Sequence, residues 1–316
     1  MTWQFAIDKL RARHRVFLLL VLESIGSSPG RQGFKMMVSS DGTMEGSIGG
    51  GIMEHKFVEL VRSRMLAEPG SPEIHLQVHD KNSSSRSGMI CSGEQTLYMT
   101  ELFCSDVVEL KKIASSVEKN KDHVIEISDT GVKLREQEPS EDYFFQRCGE
   151  DAFIYRERVG KKNTLHIIGG GHCSLALSKL MSQMDFVVNV YDDRPGLNTM
   201  QENPFADNLI TLSSYNELTH WIKGGKNVYV IIMSFGYRTD DQALRAVLHI
   251  PVKYLGMIGS KKKVEQMFEG YKQEGMDEAL LQTVHAPAGL FIKSETPEEI
   301  AVSIAGEIIR VKNTGQ

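Results

Sequence analysis

Two runs of three glycines carry most of the legible chemistry: Gly49-Gly50-Gly51 in GSIGGGIMEH and Gly169-Gly170-Gly171 in LHIIGGGHCS. Glycines ahead of a helix let the backbone approach a ligand closely, and the free N–H groups of the first helical turn favour an anion there. The second run has the more specific setting. A buried-strand pattern, TLHII, leads into it, and a helical pattern, CSLALSKLMSQM, leads out, in the order G-x-G-x-x-S. This is the dinucleotide fingerprint with Ser174 in place of its last glycine. Gly169 makes the tight turn, Gly171 lets the backbone reach a pyrophosphate, and a small Ser174 keeps helix and strand close. A carboxylate is expected about 20 residues later to bond a ribose hydroxyl, and Asp192 stands there. Arg194 follows it and leaves NAD and NADP both open. His172 is placed to meet a phosphate at the helix start, with a local hydrogen bond as the equal alternative. A nucleotide-free Rossmann domain is the rival reading of the whole motif, and a cofactor phosphate is another possible guest.

The first run lacks that setting. It follows a hairpin pattern, no acidic residue follows at the end of a second strand, and Glu54 falls in the first turn of the next helix, where carboxylates commonly face the dipole. Its backbone N–H groups suit an oxyanion, and the upstream SSPGRQGFK supplies Arg31 and Lys35 as cations that bind anionic groups. A third candidate lies in YLGMIGSKKK, where Ser260 can cap a helix that begins with Lys261, Lys262 and Lys263. Cations oppose the dipole at that end. The alternatives are an anionic partner or simply solvated lysines.

Four cysteines, Cys91, Cys104, Cys148 and Cys173, show no C-x-x-C pair, so neither a zinc site nor a redox motif is indicated. Cys91 sits in SGMICSGE, a Ser/Gly-rich stretch that reads as an exposed turn, with Arg86 near in sequence to favour the thiolate. Cys104 ends an apolar strand, Cys148 lies in a charged junction and Cys173 opens the Rossmann helix.

The elements that must position these residues fall into two sets. The N-terminal part reads as mixed α+β: a helix in TWQFAIDKLRAR, a strand in VFLLLVL, a hairpin turning at Asp41-Gly42 and a helix from Met53 to Met65. The strands EIHLQVHD and QTLYMTELF follow. Polarity rises between Ser128 and Asn163, where YFF and FIY suggest packed strands. From Thr164 strands and helices alternate, which means a parallel sheet covered on both faces. The expected organisation is an N-terminal mixed α+β domain, 1–160, then a Rossmann-like doubly wound domain, 161–316, with a closing helix at 297–313. Thr296, Pro297 and Glu299 form that helix's capping box and first position.

Composition narrows the function classes. The chain has 316 residues, is 41% hydrophobic and carries a net charge of −5. That is enough apolar material for two cores and argues against nucleic-acid binding by bulk positive charge. No apolar run reaches membrane-span length, and the N-terminus lacks the layout of a signal peptide. A cytoplasmic location is expected.

The motifs SIGSSPGRQGFKMMVSSDGTMEGSIGGGIMEH, SGMICSGEQTLYMTEL, LHIIGGGHCSLAL, YLGMIGSKKK and HAPAGLFIKSETPEEIAVSIAGEII together resemble the xanthine dehydrogenase accessory factor family, XdhC/CoxI. The resemblance covers nearly the whole chain. It implies a maturation factor, not an enzyme in its own right, that binds molybdenum cofactor and supports its sulfuration and insertion into a xanthine dehydrogenase-type molybdenum hydroxylase. A cysteine desulfurase is an implied further partner, and a homodimer the expected assembly. On this reading Arg31, Lys35, Gly49, Gly50, Gly51, Glu54, Cys91 and Gly93 handle the molybdenum cofactor, with Cys91 as the metal-binding thiolate, while Gly169, Gly171, His172, Asp192 and Arg194 hold a nucleotide or phosphate. Two departures stand out: Ile52 replaces the family's cysteine after the first triplet, and Ser92 replaces a glycine after Cys91. The alternatives are an NAD(P)-dependent oxidoreductase, for which no hydride-transfer triad is evident, and a nucleotide-sensing regulator.

Overall fold

Val16–Leu22 is continuously apolar because both of its faces are covered. Val16, Leu18, Leu20 and Leu22 enter one core, and Phe17, Leu19 and Val21 enter another on the opposite side. The computed structural model describes residues 2–79, 93–149 and 152–314, in two compact units, Met1–Gly160 and Lys161–Gln316.

In unit 1, α1 (Thr2–Arg11) leads to β1 (Val16–Gly26), β2 (Lys35–Ser39) and β3 (Met44–Gly46), then to α2 (Gly51–Met65), β4 (Glu73–His79) and β5 (Gly93–Leu102). These strands form an antiparallel sheet in the order β3-β2-β1-β5-β4. The hairpin turns where expected, with Gly42 at φ 85°. Next come α3 (Val107–Glu118), β6 (Val124–Ser128), β7 (Gly131–Arg135), β8 (Tyr143–Arg147) and β9 (Phe153–Arg158). The last four make a second antiparallel sheet, ordered β7-β6-β9-β8. The polar stretch with YFF and FIY is therefore the β8–β9 pair, with Phe153 and Tyr155 buried in the core that also takes α1 and α3.

Unit 2 runs β10 (Asn163–Ile168), α4 (His172–Met181), β11 (Phe186–Asp192), α5 (Asn198–Gln201), β12 (Asn208–Thr211), α6 (Leu218–Trp221) and β13 (Gly225–Ile232). It continues with α7 (Tyr237–Val247), β14 (Val252–Met257), α8 (Lys261–Gln273), α9 (Glu278–Leu281), β15 (Val284–His285) and α10 (Pro297–Thr314). The sheet order is β12-β11-β10-β13-β14-β15, and every pairing is parallel. Renumbered within the unit this is 3-2-1-4-5-6, the doubly wound Rossmann order. Alternate residues of β13 feed opposite faces: Val230 and Ile232 pack with α7 and α8, and Tyr229 and Ile231 with α4 and α10. Two-sided burial of this kind keeps a parallel sheet stable. The Thr296 hydroxyl accepts from the Glu299 N–H at 3.2 Å, and the Glu299 carboxylate accepts from the Thr296 N–H at 3.3 Å, closing the capping box of α10. No helix among the described residues is long and apolar enough to cross a membrane.

Candidate functional site

Strand order reverses between β10 and β13, so the loops leaving these two strands diverge to opposite faces and open a crevice at the carboxyl edge of the sheet. The second glycine triplet is the loop after β10. Gly169 has φ 115°, and a Cβ there would lie 2.3 Å from the Met233 carbonyl oxygen, so only glycine lets the two loops touch. A Cβ on Gly170 would meet the Met200 side chain at 2.5 Å. Gly171 is different. Its φ is −74°, and a Cβ would meet nothing within 4 Å. The protein itself does not require glycine at Gly171, whereas close approach of a ligand would.

A cavity of about 890 Å³ opens at this place, lined by Gly171, His172, Cys173, Ser174, Arg194, Thr199, Ser234, Phe235 and Ile258 among others. The first backbone N–H groups of α4 have no intrahelical acceptor and carry the positive end of its dipole. Ser174 is 1% exposed, and its hydroxyl has no hydrogen-bond partner. An orphaned buried hydroxyl beside unpaired N–H groups suits an oxyanion. His172 is exposed at the cavity edge. Burial, reinforced by the Glu298 carboxylate, pushes the Cys173 thiol up, so it stays protonated near neutrality.

The loop is held from behind. Gly170 N–H donates to Asp192 Oδ2 at 2.7 Å, and the Thr199 hydroxyl donates to the Gly170 carbonyl. Asp192 also accepts from Arg194 through its backbone N–H at 2.9 Å, Nε at 2.8 Å and Nη2 at 2.8 Å. Burial raises the Asp192 pKa, but Arg194 and the two backbone donors more than offset it, so the carboxyl lies below its ordinary value. Asp192, expected to face a ribose, is thus 1% exposed and turned onto the glycine loop. Arg194 is the group that faces the cavity, with its guanidinium 5.3 Å from the centroid of the exposed Phe235 ring. Thr199 and Phe235 carried no motif signal. Their roles come from the packing of α5 and of the loop after β13.

Of the lysines of YLGMIGSKKK, Lys263 is held by a carboxylate of the chain itself. Lys263 is ion-paired with Asp240, which is fully buried and also accepts from Ser234, and Lys261 is exposed beside Glu265. Buried Asp240 offsets one of the three charges that oppose the helix dipole, that of Lys263. His285 lies 3.5 Å from Glu307 and stacks on Tyr254.

In unit 1 the first triplet has a different cause. Gly49, Gly50 and Gly51 have φ of 129°, 73° and 69°, a region L side chains avoid. The oxyanion held by this turn is the chain's own. Glu54 Oε2 accepts from Ile48 N–H at 2.9 Å, Gly50 N–H at 3.1 Å and the Ser47 hydroxyl at 2.6 Å. The turn therefore does not stand open to a cofactor oxyanion. Lys35 likewise is not free for an anion: it donates to Glu157 at 2.7 and 2.9 Å, because β2 and β9 bring these distant residues together. Arg31 is exposed and donates to the Gly26 carbonyl. Gly93 opens β5, and a Cβ there would lie 2.7 Å from Ser28 N, while one on Gly49 would lie 2.4 Å from Gly30 N. The SSPG loop, the first triplet and the start of β5 thus pack backbone to backbone. Gln95, absent from the sequence candidates, donates to the Ile48 carbonyl at 2.9 Å; it is 1% exposed and its Oε1 is unpartnered. Ile52 is 51% exposed at the start of α2. Cys91 and Arg86 lie outside the described residues. Cys104 does not end a strand but sits exposed in a short turn after β5.

These features define a two-part α/β protein whose second part is a Rossmann domain with a glycine loop at the switch point. The chain belongs to the XdhC and CoxI family: residues 9–77 match that family, and residues 165–308 match the XdhC Rossmann domain. It is 24% identical over 294 residues, 93% of its length, to YqeB of Escherichia coli (strain K12), covering 43% of that protein. It is 27% identical over 159 residues to a Bacillus subtilis (strain 168) protein named as a probable subunit of xanthine dehydrogenase, covering 50% of this chain and 46% of that one. The chain thus spans less than half the length of these curated relatives. A crystal structure described as a xanthine dehydrogenase from Bacillus halodurans shares the fold, with TM-score 0.71 and 20% identity over 100% of this chain and 97% of that one.

Proposed function

We propose that this chain is an accessory protein for a xanthine dehydrogenase-type molybdenum hydroxylase. On this reading unit 2 holds a pyridine dinucleotide, and molybdenum cofactor is cargo that passes through unit 1 on its way to the client. Family membership and the xanthine dehydrogenase name of the Bacillus subtilis relative support the accessory role. Gly171 carries the dinucleotide assignment: it is the one glycine of its triplet that the fold does not demand, and it stands over a cavity with free helix N–H groups and an orphaned Ser174 hydroxyl. Bound there, a pyridine dinucleotide supplies two-electron redox chemistry. The residues of unit 2 bind its pyrophosphate and orient it against the edge of the sheet.

Cargo handling rests on different residues. The described loops of unit 1 hold their own Glu54 and pair Lys35 with Glu157, so they offer a phosphate no ready cradle. Exposed Arg31 and the Cys91 thiol remain the groups for cargo, with a cysteine desulfurase as the source of the cofactor's terminal sulfur. The test is gentle purification followed by mass and metal analysis of retained small molecules, with activation of cofactor-free client hydroxylase as the functional assay. Retained dinucleotide together with enhanced client activation is the expected result. No enhancement over free cofactor would overturn the accessory role.

A further inference from the structure

We infer that unit 2 selects a 2′-phosphorylated adenine dinucleotide, the NADP(H) class, that Arg194 makes the selection and that Phe235 is the stacking platform for the base. The inference rests on the dinucleotide reading above and deepens it.

A carboxylate has about four lone-pair sites. All four of Asp192's are taken: by Gly170 N–H at 2.7 Å and by Arg194 N–H, Nε and Nη2 at 2.9, 2.8 and 2.8 Å. The side chain is 1% exposed. A ribose diol can bond Asp192 only by breaking one of these contacts, so the interaction that favours an unphosphorylated ribose is absent. The group turned outward at this position is a cation. Arg194 lines the cavity and its side chain is 38% exposed. Its pairing with Asp192 engages Nε and one terminal nitrogen, so the other terminal nitrogen keeps its two N–H donors. A phosphate there forms charge-assisted hydrogen bonds with a guanidinium already oriented by the carboxylate.

Phe235 supplies a surface for the base. It is 84% exposed, lies in the loop leaving β13 and lines the same cavity. A large aromatic left this open, with a guanidinium over its face, is a stacking platform for a nucleobase. Two further carboxylates bear on this cavity, Asp193 through its charge on Arg194 and Glu202 in the lining. Asp193 accepts from the Tyr215 hydroxyl at 3.1 Å and does not line the cavity. Glu202 lines it and also borders the adjoining groove along α4 and α10.

The experiment is a fluorescence titration of the full chain with NADPH and NADH, with adenosine 2′,5′-bisphosphate as competitor. NADPH should bind at least about tenfold tighter than NADH, the scale of one charge-assisted contact. The bisphosphate should displace it. Arg194→Gln should bring the ratio below about threefold, and Arg194→Lys, which keeps the charge, should retain part of it. Phe235→Ala, at an exposed position, should weaken both nucleotides alike. Equal or tighter binding of NADH, or an unchanged ratio in Arg194→Gln, overturns the selection and leaves the dinucleotide site standing. Binding of neither nucleotide by protein with an intact melting transition removes both.

Discussion

The Asp192 carboxylate and the Arg194 guanidinium meet side-on, Oδ1 to Nε at 2.8 Å and Oδ2 to Nη2 at 2.8 Å, while the same Oδ2 takes the Gly170 N–H at 2.7 Å. One buried anion thereby fixes both the second glycine loop and the cation beside it. Asp192→Ala should lower thermal stability as well as nucleotide affinity. It leaves the Gly170 N–H unpaired, at about 1–3 kcal/mol, and releases both loop and guanidinium. Calorimetry and nucleotide titration should move together, with binding at least about tenfold weaker. An unchanged melting temperature would show that Asp192 does not support the loop.

Gly169 and Gly171 should separate fold from function. Gly171→Val projects into open space in the protein, so it should leave the melting curve near the parent's while abolishing nucleotide binding. Gly169→Ala should destabilise unit 2 directly, because φ is 115° and its Cβ would lie 2.3 Å from the Met233 oxygen. Retained nucleotide binding in Gly171→Val would remove the loop from the site.

Cys91→Ala should reduce molybdenum cofactor retention and client activation with little change in thermal stability. Cys104→Ala should leave retention, activation and stability all near the parent's, since Cys104 is exposed and creates no cavity when truncated. Full cofactor loading and client activation in Cys91→Ala would dismiss a thiolate ligand in this chain.

His166 should make stability fall in mild acid. Burial holds its pKa down to about 4, and its Nδ1 lies 2.8 Å from the Tyr191 hydroxyl. The unfolded chain takes up a proton near pH 6.5 while the folded chain does not. The stabilisation is therefore complete above about pH 6.5 and is lost as pH falls towards 4, up to about 3 kcal/mol at 1.36 kcal/mol per pKa unit. Urea unfolding of parent and His166→Gln at pH 7 and pH 4.5 measures this directly. Parallel losses in the two proteins would assign the acid sensitivity elsewhere.

What the sequence determined by itself is what depends on near neighbours. The doubly wound second half follows from alternating strand and helix patterns. The hairpin at Asp41-Gly42 and the capping box of Thr296 with Glu299 are set within a few residues, and the β10–triplet–α4 junction is likewise contiguous. Tertiary structure decided which charged groups remain available for a ligand. Lys35 is taken by Glu157 across 122 residues, Lys263 by Asp240 across 23, and Asp192 faces inward although its position at the end of β11 is the expected one. The first triplet looked like an anion loop and is one, but its anion is Glu54. Phe235 had no signal because a phenylalanine after a strand is ordinarily core, and only the fold leaves this one uncovered beside Arg194. A charge or an aromatic ring is free or satisfied according to what packs against it, and in this chain that partner often comes from an element distant in sequence.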